Sequence, residues 1–337
     1  MIPHAMERFF PALGLVPIVA AICIIVHLTG NGELEGILSE ALIYVVMVVS
    51  LSIFVSNSGV ISFGHVTFAL IGAYASAWQT CCTGIRGVFM PGLPEFLMHT
   101  DVPVIVAALV AALGAAAVAA LAGLIIMRLS SVSASIALLS LLFIFKTIYE
   151  NWGSMTAGQS SVVGLPLYVD IWTALVWVAL TIVAAQLYMS SARGLRLRAA
   201  REDEVAARAA GIVVWWERLI AFVISAFFFA IGGILFGHFL GTLAVSIFWL
   251  NMTFLTLAML VVGGLRSLTG AVTGTLVVAA IRGFLRALEQ GIHLGSTSLQ
   301  VPQGMQEITL AIVLLLILVY RPQGIIGDRE LGLAVAK

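Results

Sequence analysis

Long charge-poor apolar runs fill most of the chain and divide into roughly ten segments, each near the roughly 20 residues that a helix needs to cross a hydrocarbon core. They fall near residues 9–29, 37–56, 60–80, 103–127, 131–149, 171–190, 218–240, 250–264, 268–288 and 306–320. The fifth carries Lys146, and the eighth is short for a full crossing, which leaves a re-entrant or half-spanning reading open there. The pattern predicts an all-α polytopic membrane protein built as one transmembrane domain over residues 1–337, with its first apolar segment retained as a span. Composition agrees: 61% of residues are hydrophobic and 9% charged, and the mean hydropathy is +1.14. No water-soluble domain of this size carries that balance.

Charge then sets the orientation. With both termini cytoplasmic, one side holds Arg8, Arg128, Arg193, Arg196, Arg198, Arg201, Arg208, Arg218, Arg266, Arg321, Arg329 and Lys337, twelve of the sixteen basic residues. The exceptions are Arg86 in an outer loop, Lys146 inside a span, and Arg282 and Arg286 near an outer end. The zero formal net charge matters less than this distribution, and nothing supports a nucleic-acid role.

The single dense charge island, Arg193 to Trp216, belongs to a cytoplasmic loop at 191–217. Arg193, Arg196, Arg198 and Arg201 hold it at the inner membrane surface; Glu202, Asp203 and Glu204 begin an alanine-rich helix that Gly211 can end as a C-cap. Glu204 and Arg208 form an i,i+4 pair in the favourable order. Alanines 199, 200, 206, 207, 209 and 210 keep the helix thin, as insertion into a groove on a soluble partner requires; a plain arginine-anchored loop is the alternative.

Several absences narrow the function. The only lysines, Lys146 and Lys337, follow Phe145 and Ala336, so no P-loop Gly-Lys pair exists. The six histidines are dispersed, with no His-x-x-x-His pair to hold a metal. Cys23, Cys81 and Cys82 offer neither metal spacing nor a disulfide framework and read as small buried side chains. No cofactor is expected. Ser62 and His65, three apart, can hydrogen-bond, but a nucleophilic serine also needs oxyanion donors and a fixed base, so a polar pair at a helix interface is the stronger reading.

Two glycine-rich clusters stand out. Val60 to Tyr74 mixes small residues with Ser62, His65 and Thr67, which can hydrogen-bond across a helix interface or contact a substrate. Val262 to Gly274 breaks one span at a glycine pair and reopens another with Gly270 and Gly274, a spacing repeated by Gly233, Gly237 and Gly241. In the fifth span Lys146 and Glu150 share a helical face, where they either line a path or snorkel to the outer interface.

These pieces resemble the M-type membrane permease subunit of ABC importers of the branched-chain amino acid, or Liv, class. The likeness rests on Ile61-Ser-Phe-Gly-His65 with Gly72-Ala-Tyr74; Asn151-Trp152 followed by Thr156-Ala-Gly158 and Gly164-Leu-Pro166; Arg201 to Gly211; Val262-Gly-Gly264 with Gly270; and the ending Tyr320-Arg-Pro-Gln-Gly324. The resemblance implies that Arg201, Glu202, Glu204, Ala206, Ala207, Arg208 and Gly211 form the coupling element that sits in a cleft of an ATPase, and it leaves Ser62, His65, Thr67, Lys146 and Glu150 as candidates for the translocation path. It also implies an H-type second permease, two ABC ATPase subunits, a periplasmic substrate-binding protein and a multi-pass location in the bacterial inner membrane, with no catalysis by this chain. Two stretches depart from the family pattern: Leu142-Phe-Ile-Phe145 lacks an acidic residue, and Ala157-Gly158-Gln-Ser replaces Gly-Gly-Pro-Asn. Branched-chain amino acids are the default cargo, with urea, short amides and small carboxylates as alternatives.

Two other classes remain in view. An ion-coupled secondary transporter would place an acidic group at the centre of a span, and none is central here. An intramembrane enzyme would need a nucleophile or metal motif that the chain lacks.

Overall fold

The computed structural model describes residues 10–82, 86–98, 102–290, 292–294, 297–299, 302, 304–321, 323–327 and 330. Helices dominate: α1 (Phe10–Leu28), α2 (Gly32–Ser58), α3 (Val66–Thr80), the short α4 (Arg86–Phe89) and α5 (Glu95–Met98), α6 (Val104–Ile126), α7 (Ser131–Asn151) and the one-turn α8 (Gly153–Thr156). They continue with α9 (Ile171–Ser190), α10 (Ala192–Glu202), α11 (Glu204–Ala209), α12 (Val214–Leu240), α13 (Leu250–Gly263), α14 (Leu268–Gln290) and α15 (Met305–Tyr320). Two antiparallel pairs of short strands link loops: β1 (Val162–Val163) with β2 (Thr242–Leu243), and β3 (Ile292–Leu294) with β4 (Thr297–Leu299).

Among the described residues seven helices are long and apolar enough to cross a membrane: α2, α6, α7, α9, α12, α14, and the stretch Val245–Gly263 that joins a 3-10 turn to α13. Seven of the roughly ten expected spans are thus matched among the described residues. The segments at 9–29 and 306–320 form shorter apolar helices, with qualifying stretches Ala12–Leu28 and Ile308–Ile317. The segment at 60–80 is helical only over the 15 residues of α3, a rise of about 22 Å against a core of about 30 Å. Gly59, at φ +72°, ends α2, and the chain stays non-helical to His65; hydropathy averaging cannot see this break because Val60, Ile61 and Phe63 are apolar. Arg8, Arg329, Lys337 and both chain ends lie outside the described residues.

α2 and α12 are the most buried spans and form the centre. α12 packs on α2, α3 and α6, α9 and α14 pack on α2, and α13 packs on α14. Small residues allow the crossings: a Cβ on Gly233 would run into the backbone of Ala69 in α3, and one on Gly72 would sit 2.8 Å from the Ala230 carbonyl in α12. The α13–α14 hairpin is tighter still, with Gly263 against the Gly270 carbonyl and Gly274 against Met259 and Gly263.

One reading of the cysteines needs correction. Cys81 and Cys82, read as thiols outside any disulfide framework, are joined to each other by a disulfide where the chain leaves α3. Spacing rules are built for loop-closing bridges and do not anticipate a bond between neighbours. Cys23 is free and buried.

Candidate functional site

The basic residues gather structure at one end of the bundle. Arg201, at the end of α10, donates through Nη1 to the Ser56 carbonyl in the last turn of α2, and its aliphatic stem lies against Gly59. Cations at a helix C-terminus are favoured by the orphan carbonyls there. Its Nη2 pairs with Glu202 at 2.6 Å, and this partner holds the Glu202 carboxyl below its ordinary range. Arg266, in the turn between α13 and α14, lies 4.0 Å from the same carboxylate.

The alanine-rich helix starts two residues later than the sequence suggests. Asp203 is extended and its carboxylate accepts from the amides of Val205 and Ala206, both at 2.9 Å. It therefore caps a new helix, and Arg201 and Glu202 end the previous one. The resulting α11 carries Glu204, Ala206, Ala207 and Arg208, and Gly211 follows it in the left-handed conformation at φ +83°. Glu204 accepts from Arg208 at 2.5 Å and from Arg218 of α12 at 3.0 Å. Ala207 is buried against the body, whereas Val205 is 80% exposed.

Ser62, His65 and Thr67 enter the core beside the break before α3. Ser225 has one hydroxyl proton and gives it to the Ser50 carbonyl at 2.7 Å. Its oxygen must then accept from His65 Nε2, 2.8 Å away. A neutral imidazole protonated at Nε2 has a bare Nδ1, which accepts from Ser62. The donations thus run one way, from Ser62 through His65 and Ser225 to α2. Rings of Phe54, Phe222 and Phe229 surround the imidazole at 5.3 to 5.6 Å between centroids. The Thr67 hydroxyl is buried without a hydrogen-bond partner among the described residues.

Lys146 and Glu150 form their own group on α7, paired at 2.9 Å, with the ammonium 4.2 Å from the Trp249 ring. α7 meets the break at Leu138, whose carbonyl blocks a Cβ on Gly64. Lys146 is eight residues further along α7, about 12 Å by helical rise, so the two candidate path groups are separate. Sequence reasoning missed Ser225, although a lone serine in an apolar span is itself a sign of a hydrogen bond between helices. It also missed His238, whose Nδ1 donates to the Pro166 carbonyl at 3.1 Å and whose Nε2 accepts from Ser76 at 3.0 Å. No sequence signal marked Glu330, which accepts from the Leu268 amide at 2.7 Å and the Thr269 amide at 3.2 Å and so caps α14.

The family model described as branched-chain amino acid transport system / permease component matches residues 33–320. The chain belongs to that family. No curated protein and no solved structure matches it. The permease is accordingly a multi-pass membrane protein of a branched-chain amino acid type transport system. The matched region contains both the buried His65 network and the whole of α10 and α11.

Proposed function

We propose that the permease is the M-type membrane subunit of an ABC importer that carries small amino acids, branched-chain ones first, across the bacterial inner membrane. ATP hydrolysis is supplied by two ATPase subunits, an H-type permease completes the path, and a periplasmic binding protein delivers the cargo; this chain performs no chemistry. The observation that carries the reading is α11, a thin helix capped at both ends that presents Val205 outward. It is tied through Glu204 to α12 and, through the adjoining Arg201, to the end of α2. A helix so braced passes on a displacement rather than absorbing it, which is what a coupling element between ATPase closure and alternating access must do.

The test is ATP-dependent uptake of labelled leucine by the reconstituted complex, with urea and a small carboxylate in parallel, comparing native protein with Glu204→Arg. Uptake should require ATP and collapse in the variant while the permease stays folded and inserted. Uptake indifferent to ATP, or to the charge reversal, would sink the coupling assignment and favour an ion-coupled carrier.

A further inference from the structure

At the arginine-bearing end of the bundle, a cavity of about 550 Å³ opens between the end of α6, α11 and the start of α12. That volume is within the range of small-molecule sites. Its charged lining is Arg128, Glu204, Arg208 and Arg218, and its apolar wall includes Met127, Val213 and Trp215. Three guanidinium groups thus stand against one carboxylate. Arg218 is buried on Glu204 and contributes charge rather than an open donor. Arg208 pairs with the same carboxylate through Nη2 alone and keeps its side chain 67% exposed. Arg128 is exposed and has no carboxylate partner among the described residues; its guanidinium lies over the Trp215 ring, 4.8 Å from the centroid. An aromatic face steadies a cation but offers its in-plane N–H groups no acceptor.

The position of the cavity indicates where an acceptor comes from. Met127 closes α6 and Trp215 lies in the first turn of α12, so the cavity sits where two spans end, at the depth of lipid headgroups. Leu121, Leu124 and Ile125 lie on the side of α6 that leads to Arg128, and all three are exposed, Ile125 by 73%. An acyl chain lying along that face brings its phosphodiester to Arg128. A phosphate free in water has no use for such an approach. A choline or ethanolamine headgroup would carry its ammonium into a field set by three arginines, whereas an anionic headgroup meets only attraction.

We propose that this cavity holds the headgroup of an anionic glycerophospholipid, with the phosphodiester accepting from Arg128 and Arg208 and an acyl chain along Leu121, Leu124 and Ile125. The lipid joins the end of α6 to α11, whose other seats on the body include Ala207 and Glu204. The charge of the bilayer thereby becomes part of what holds α11 in place. The inference rests on the membrane assignment and on neither the cargo nor the coupling role.

The test is native mass spectrometry of the permease with its co-purifying subunits, titrated with dioleoylphosphatidylglycerol, dioleoylphosphatidylcholine or soluble sn-glycerol 3-phosphate. Phosphatidylglycerol should bind at least about tenfold more tightly than phosphatidylcholine, and glycerol 3-phosphate should not be retained. Arg128→Gln should erase that preference, the loss expected for a charge-assisted hydrogen bond, and Arg128→Lys, which keeps the charge but not the fork, should retain part of it. Arg193→Gln removes the same charge from the same end outside the cavity and should change nothing. In phosphatidylcholine nanodiscs Arg128→Gln should unfold at the native temperature, since Arg128 makes no ion pair in the fold; added phosphatidylglycerol should then stabilise the native protein and not the variant. Equal retention of the two lipids, tight binding of glycerol 3-phosphate, or equal losses in Arg128→Gln and Arg193→Gln would each overturn the site. Retention of phosphatidylglycerol only after the partner subunits are stripped away would give the cavity to a protein contact and overturn it as well.

Discussion

The direction of the Ser62–His65–Ser225–Ser50 chain can be tested by a double-mutant cycle. Ser225→Ala removes the acceptor for His65 Nε2–H, which lies 2.8 Å from Ser225 Oγ in a region where His65 is 2% exposed and Ser225 fully buried. A stranded buried N–H costs about 1–3 kcal/mol, while hydrogen bonds between membrane helices average about 0.6 kcal/mol because the membrane-unfolded chain also finds partners. Loss of the bond to the Ser50 carbonyl adds little, since that carbonyl is part of α2. The single change should therefore cost about 1–2 kcal/mol. His65→Phe removes both ring nitrogens, and a phenyl ring suits a pocket already walled by Phe54, Phe222 and Phe229. In that background Ser225→Ala should cost about 0.5 kcal/mol or less, leaving a coupling of roughly 1 kcal/mol. Reversible unfolding of the four proteins in mixed micelles of mild detergent and SDS would measure it. A coupling within the roughly 0.3–0.5 kcal/mol scatter of independent sites would refute the network.

Three further outcomes follow from the packing. Gly233→Ala should destabilise the permease by about 1–3 kcal/mol in a melt, because the new methyl meets the Ala69 backbone, whereas Gly114→Ala, with no atom within 4 Å, should be neutral or slightly stabilising. Glu330→Ala should speed amide exchange at Leu268 and Thr269 by about tenfold, the worth of a lost helix cap of about 1 kcal/mol or slightly more; unchanged exchange would remove Glu330 from the cap. Gly59→Ala combines a left-handed backbone at φ +72° with a Cβ only 2.8 Å from Arg201 Cγ, so it should dislodge Arg201 and, on the proposed importer reading, lower uptake per ATP hydrolysed; an unchanged ratio would show that Arg201 needs no seat on Gly59.

What the sequence made legible is what bulk hydropathy and charge can encode. Long apolar runs became spans because backbone polar groups in lipid must bond within their own helix, and the arginines from Arg193 to Arg218 became one end of the bundle. The family resemblance agrees with the matched family as far as permease of the branched-chain type. Features decided by local backbone torsions were not legible: the non-helical stretch from Val60 to His65, which delays α3 from the expected residue 60 to Val66, and the break at Asp203 each move a helix start that hydropathy and charge had placed earlier. The long-range partners were hidden for a different reason. Ser225 is 160 residues from His65, and Glu330 is 62 from Leu268, so only the packed helices bring them together.

The two interruptions in the helical pattern are related by position. The non-helical stretch after Gly59 precedes α3, and the turn after Gly263 precedes α14, and both lie at the arginine-bearing end. The α10–α11 segment touches each of them, through Arg201 on Ser56 and Gly59 and through Glu202 near Arg266. Glu330 joins the same end by capping α14. Helix interiors resist bending, whereas a left-handed glycine or an extended pair of residues accepts a change of φ and ψ at little cost. On the proposed reading, a pull on α11 is therefore felt first at these two points, where the chain can turn. α3 is pinned to α12 through the His65 network and the Gly72 and Gly233 contacts. The motion that remains open to it is rotation about that crossing rather than separation from it.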